Sequence, residues 1–139
     1  MCSSDLLALA AQRGVDVRLV LPAKSNHIVM DWISRGYYSR MLAAGIRIFR
    51  FRDAMVHAKT ATIDGSWSTI GTANVDRLSM TGNYEINVEI IDRDVAAEME
   101  RIFETDLSHC HELSEAEWES RDIYRRFTEL ILNPLRHLL

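Results

Sequence analysis

The chain has 139 residues, of which 47% are hydrophobic and 26% charged, with a formal net charge of −4. This is the length and balance of one globular domain able to bury a core, and the acidic excess gives no reason to expect a nucleic-acid binder. No apolar run approaches the roughly 20 residues of a membrane helix, and Met1 to Asp5 lacks the basic start and apolar core of a secretory signal. Cys2 and Cys110 are the only cysteines; they make no disulfide framework, which favours a reducing compartment.

The elements follow in order. Ser3, Ser4 and Asp5 are helix starters ahead of Leu6 to Ala11, and Gly14 stops that helix. Val15 to Leu21 alternates as a strand, with Val20 on the second face suggesting cover on both sides. Pro22 ends it, and Lys24, Ser25, Asn26 and His27 fill the loop that follows. Ile28 to Ala44 reads as a helix interrupted by Gly36 and closed by Gly45. Ile46 to Phe51 is a second strand. Helix and strand thus alternate from the start, which argues an α/β fold.

Val56 to Asn74, V-H-A-K-T-A-T-I-D-G-S-W-S-T-I-G-T-A-N, organises the rest. His57 and Lys59 are two apart in a β-like run, so they share a face. Asp64 has the opposite parity and points away. Asp64, Gly65 and Ser66 form a turn, and Trp67 to Ile70 a return strand. Gly71-Thr72-Ala73-Asn74 is a tight loop offering backbone N–H groups, a hydroxyl and an amide. An imidazole, an ammonium and neutral donors together suit phosphodiester chemistry: the histidine as nucleophile or proton carrier, the others holding the oxyanions.

Beyond a loop from Val75 to Gly82, Asn83 to Asp92 is the clearest strand, with Tyr84, Ile86, Val88 and Ile90 on one face and Glu85, Asn87 and Glu89 on the other. A carboxylate beside the histidine strand can fix an imidazole tautomer, so Glu85 is expected near His57 on an adjacent strand. Asp92 caps a helix from Arg93 to Leu107. His109-Cys110-His111-Glu112 lacks metal-ligand spacing, and no metal or other cofactor is expected. Ser114-Glu115-Ala116-Glu117 is a capping box opening a helix that runs to Leu132. Pro134 to Leu139 is a short apolar tail, expected to pack on its own domain.

The string H-x-K-x-x-x-x-D followed by G-T-x-N, on His57, Lys59, Asp64, Gly71, Thr72 and Asn74, resembles the HKD motif of the phospholipase D superfamily. Arg13 to Arg18, Asp31 to Tyr38 with Ala44 to Ile46, and Trp118 to Leu139 look like the C-terminal half of bacterial cardiolipin synthases. The resemblance implies a phospholipase D-like lobe over residues 1–139, a mixed β-sheet flanked by helices in an α-β-α sandwich. It implies a catalytic set of His57, Lys59 and Asp64, although parity gives Asp64 a structural or orienting part. Lys59, Thr72 and Asn74 would bind phosphate, and Glu85 would orient a histidine.

Members of that family carry two HKD motifs in two lobes and membrane segments near the N-terminus. They join two phosphatidylglycerol molecules into cardiolipin and release glycerol. This sequence has one motif and no membrane segment, so it reads as the second lobe of such an enzyme, the parent residing in the bacterial cell membrane. The implied partners are a phospholipid, a membrane surface, and an N-terminal HKD lobe or a second copy. A homodimeric single-HKD phosphodiesterase, phospholipase D-like or a nuclease, is the alternative; a non-catalytic binding module is a third, opposed by the intact motif.

Overall fold

The computed structural model describes residues 3–23, 38–52, 56–73 and 84–120. Helix α1, Ser3–Gln12, leads into strand β1, Arg18–Pro22. Gly14 turns the chain between them with φ +91°, and Gly14 and Val15 N–H groups return to Ala11 and Ala10 carbonyls. A helical stretch at residues 38–43 precedes β2, Arg47–Phe51, with Gly45 at φ +88° closing it. Both glycines take the left-handed conformation that ends helices at low cost. The part of the expected Ile28 to Ala44 helix before Tyr38 lies outside the described residues.

Strands β3, Thr60–Ile63, and β4, Trp67–Gly71, form the hairpin after the His57 segment. Strand β5, Asn87–Ile91, is followed by α2, Arg93–Ser108, then β6, Cys110–Leu113, and α3, Glu115–Glu119. The strands divide between two sheets. In the first, β2 lies between β1, which it pairs in parallel, and β6, which it pairs antiparallel. The second is antiparallel, ordered β3-β4-β5. The α/β architecture with mixed strands and flanking helices is as expected.

The core lies under the first sheet. Ile46, Ile48, Leu113, Tyr38 and Trp118 are buried together, with Leu7, Ala8 and Ala11 of α1 packed against them. The Tyr38 and Trp118 rings stand 5.0 Å apart at 41°, and Trp118 Nε1 donates to Ser39 Oγ at 2.9 Å. Under the second sheet, α2 packs against β3 and β4 and also touches β2 and β6. Ala96 and Ser68 are fully buried, and the Ser68 hydroxyl meets that of Thr62.

Capping at α2 matches the reading: Asp92 accepts from the N–H groups of Asp94 and Val95. At α3 only half of the capping box forms. Ser114 accepts from Glu117 N–H, while the Glu117 carboxylate turns to His111 Nε2 at 2.7 Å. Residues beyond Ser120, including the rest of that expected helix and the apolar tail, lie outside the described residues.

Two strands are shorter than the alternation suggested. β1 begins at Arg18 because its parallel partner begins at Arg47. β5 begins at Asn87 because β4 ends at Gly71, which faces Asn87. Tyr84, Ile86 and Val88, on the apolar side of the expected strand, are exposed.

Candidate active site

The hairpin is built on its turn. Asp64 and Gly65 have φ of 50° and 57°, and Ser66 N–H donates to the Ile63 carbonyl. Two successive left-handed residues make the turn that suits the twist of paired strands, and Asp-Gly is a favoured pair for it. Asp64 is exposed at this turn. The turn sets the register Thr60 opposite Ile70, and Gly71 N–H extends it by donating to the Lys59 carbonyl at 3.0 Å.

Residues 56–59 precede β3 outside its regular ladder. The expected shared face is nonetheless present: Lys59 Nζ lies 2.8 Å from His57 Nε2. His57 is exposed and Lys59 half-buried. An ammonium has donors and no acceptor, so in this contact His57 Nε2 is the acceptor. The pair thus presents a nitrogen lone pair and a cation at one point, which is what attack on an anionic phosphorus asks for.

The Gly71 loop is fastened to the segment ahead of β5. Thr72 N–H donates to the Ile86 carbonyl, and Ile86 N–H donates to Thr72 Oγ1 at 3.0 Å. The Thr72 hydroxyl also reaches the Ile86 carbonyl at 3.4 Å. Asn87 Oδ1 accepts from Ala73 N–H at 3.3 Å. The threonine hydroxyl is therefore hydrogen-bonded to the Ile86 backbone. Asn74 lies outside the described residues.

Glu85 is half-buried just ahead of β5. The expected adjacency of its strand to the histidine strand does not hold, because β4 lies between β3 and β5. The reason is that β4 pairs on both edges, with β3 by the hairpin and with β5 by its return. Lys59, Gly71 and Asn87 stand in one cross-strand row; His57 and Glu85 each lie two residues beyond it, ahead of β3 and β5.

Asn87 is the residue the sequence left without a part. The signal was its alternation with Glu85. Elsewhere, Cys110 Sγ donates to the Asp106 carbonyl and burial pushes its thiol pKa up, the first cause of that shift. The His109 ring lies 6.0 Å from the Phe51 ring, tilted by 38°, and His111 pairs with Glu117. Among the described residues no group of three or more His, Cys, Asp or Glu is placed to hold a metal, and no helix is long and apolar enough to cross a membrane.

With this geometry in hand, the family model described as "Cardiolipin synthase, PLD-like domain" matches residues 3–107. The chain belongs to the cardiolipin synthase PLD-like domain family. Cardiolipin synthase A of Pectobacterium carotovorum subsp. carotovorum is 35% identical over 130 residues, covering 91% of this chain and 27% of that protein. Cardiolipin synthase A of Salmonella arizonae is 37% identical over 130 residues, with the same coverage. The chain thus spans about a quarter of the length of the curated relatives it matches. The fold is shared with a phospholipase D family member, Nuc from Salmonella typhimurium, at TM-score 0.66 and 18% identity, over 80% of this chain and 72% of that one. As a cardiolipin synthase-like PLD domain, the chain places its H-x-K pair beside a loop held by the next strand.

Proposed function

We propose that this chain is one lobe of a phosphatidyltransferase that forms cardiolipin from phosphatidylglycerol through a phosphohistidine. The observation that carries the reading is the 2.8 Å pairing of His57 Nε2 with Lys59 Nζ on an exposed face. The likeness to cardiolipin synthase A proteins supports the substrate class.

The chemistry is a double displacement. An imidazole Nε2 attacks phosphorus, a P–N bond forms, and the P–O bond to glycerol breaks as a second imidazole gives that oxygen a proton. A second phosphatidylglycerol hydroxyl then attacks; the second imidazole takes its proton, the new P–O bond forms and the P–N bond breaks. His57 is one of the two imidazoles. One ring cannot serve both sides of a phosphorus, so the reaction needs a second HKD lobe. Lys59 and Asn74 hold phosphoryl oxygens, Glu85 orients an imidazole, and Thr72 acts through the loop it fastens. The reaction uses no metal in this scheme, and the substrates place the working enzyme at a membrane surface.

The test is cardiolipin formation from phosphatidylglycerol vesicles by this chain alone, and mixed with an N-terminal HKD lobe, with and without chelator. Product is expected from the mixture in either buffer. Robust turnover by the chain as a monomer would overturn the two-lobe requirement, and loss of activity in chelator would overturn the metal-free scheme. Hydrolysis of phosphatidylglycerol to phosphatidic acid by the chain alone, rising with its dimerisation, would favour the single-HKD phosphodiesterase reading.

A further inference from the structure

The sequence motif asks for glycine at position 71, and the structure gives a reason that is not conformational. Gly71 is absent from the positive-φ residues. A Cβ placed there would collide with Asn87 Oδ1 and would come to 2.5 Å from the Ile86 carbonyl oxygen. Asn87 therefore lies across the bare backbone of Gly71. From there its oxygen takes Ala73 N–H. The same Gly71 holds Lys59 on its other side, through Gly71 N–H to the Lys59 carbonyl. One row across the sheet thus links the lysine, the glycine and the asparagine.

We propose that Asn87 is a positioning residue of the phosphate site. It clasps the Gly71–Ala73 loop from β5 and so sets the backbone beside Lys59. The inference rests on the phosphodiester-transfer reading above. The clasp has two parts with different roles. Thr72 ties the loop to Ile86 through main chain and hydroxyl, which only extends the pairing of β4 with β5. Asn87 reaches one residue further along the loop, past the end of β4. It can do so only over a residue without a side chain. Gly71 and Asn87 therefore form one device, and a change in either is felt through the other.

The experiment titrates the full chain with inorganic phosphate, following the NMR shifts of His57 and Lys59. Wild type, Asn87→Ala, Gly71→Ala and the double variant are compared, each with its melting temperature. Asn87→Ala is expected to weaken phosphate binding about five-fold, the weight of one ordinary hydrogen bond, with little change in melting. Gly71→Ala is expected to weaken it further. The double variant should recover part of that loss, because removing the asparagine side chain makes room for the added methyl. A role confined to folding would move melting and leave the phosphate affinity of the folded protein in place. If wild type binds and Asn87→Ala binds equally, or if the two substitutions simply add, the clasp is overturned and the site reading stands. If wild type shows no saturable shift at His57 and Lys59, the site reading falls and the clasp with it. Should Asn87→Ala fail to fold, Asn87→Ser, too short to reach Ala73, is judged by the same criteria.

Discussion

Lys59 Nζ sits 2.8 Å from His57 Nε2, and since an ammonium only donates, the ring nitrogen facing it is the one with the lone pair. An incoming phosphoryl group would meet both at once. Its anionic oxygens compete for the lysine's protons, and its phosphorus comes within reach of the nitrogen the lysine releases.

This pairing predicts two kinetic losses of different kinds. In the two-lobed assembly, His57→Ala should lower turnover at least about 10²-fold, since acid–base work alone is worth that much. Lys59→Met should cost about 10²–10³-fold, as for loss of one group stabilising a developing oxyanion. Both side chains lie outside the core, so melting temperatures should stay close to wild type. Turnover within ten-fold of wild type for either variant would remove that residue from the chemistry.

Asp64 belongs to the motif by spacing but to the turn by structure. Its φ of 50° is a left-handed conformation that aspartate tolerates better than alanine. Asp64→Ala is therefore expected to destabilise the chain by about 1 kcal/mol, while Asp64→Gly should be tolerated. Turnover at a temperature where all variants are folded should be unchanged. An Asp64→Ala protein that melts like wild type yet has lost activity as fully as His57→Ala would place this carboxylate in the reaction instead.

What the sequence made legible was local. The Asp92 cap, the stops at Gly14 and Gly45, and the Asp64-Gly65 turn each depend on one or two residues and their neighbours, and each is where the reading put it. The shared face of His57 and Lys59 follows from a spacing of two. Strand order is different in kind. Nothing in the alternation of residues 83–92 says that β4 will lie between β5 and β3, so the expected contact of Glu85's strand with the histidine strand failed. The half-formed capping box failed for a similar reason. Glu117 had a second partner, His111, six residues back in sequence on another element. The part played by Asn87 was hidden because it depends on how closely two backbones approach at Gly71.

Trp118 connects α3 to the helical stretch at residues 38–43, through the Tyr38 ring and the Ser39 hydroxyl. It is 4% exposed. Trp118→Ala should cost about 3–5 kcal/mol, the usual range for emptying a buried aromatic site. Trp118→Phe should keep most of the packing and lose chiefly the bond to Ser39, about 0.5–1.5 kcal/mol. Urea unfolding of the three proteins checks this. Equal midpoints for Trp118→Ala and wild type would mean that this side chain does not knit the two segments.

Glu112 on β6 receives both Nε and Nη2 of Arg47 on β2, at 2.8 and 3.0 Å. The guanidinium hydrogen bonds hold the Glu112 carboxyl below the ordinary glutamate value of 4.5, against a smaller opposing effect of burial. A carboxyl whose folded pKa is depressed stabilises the fold above its unfolded pKa, and that contribution is lost as pH falls through the folded value. The sign is therefore fixed: Glu112→Gln should melt below wild type at neutral pH, and the gap should close as pH falls below about 4.5 and the wild-type carboxyl protonates. Both groups are largely solvent-exposed, so the neutral-pH gap should be small and should shrink further in high salt. Asp16 beside Arg18 and Glu98 beside Arg101 are depressed in the same direction by their own guanidinium partners. The wild-type melting curve therefore reports all three carboxyls together, and that of Glu112→Gln reports the other two. The difference between wild type and Glu112→Gln reports chiefly Glu112, because Glu98 answers to Arg101 alone and Asp16 is the smallest influence on Glu112. A gap that stays constant from neutral to strongly acidic pH would show that the Arg47 pair contributes shape rather than charge to the joining of β2 and β6.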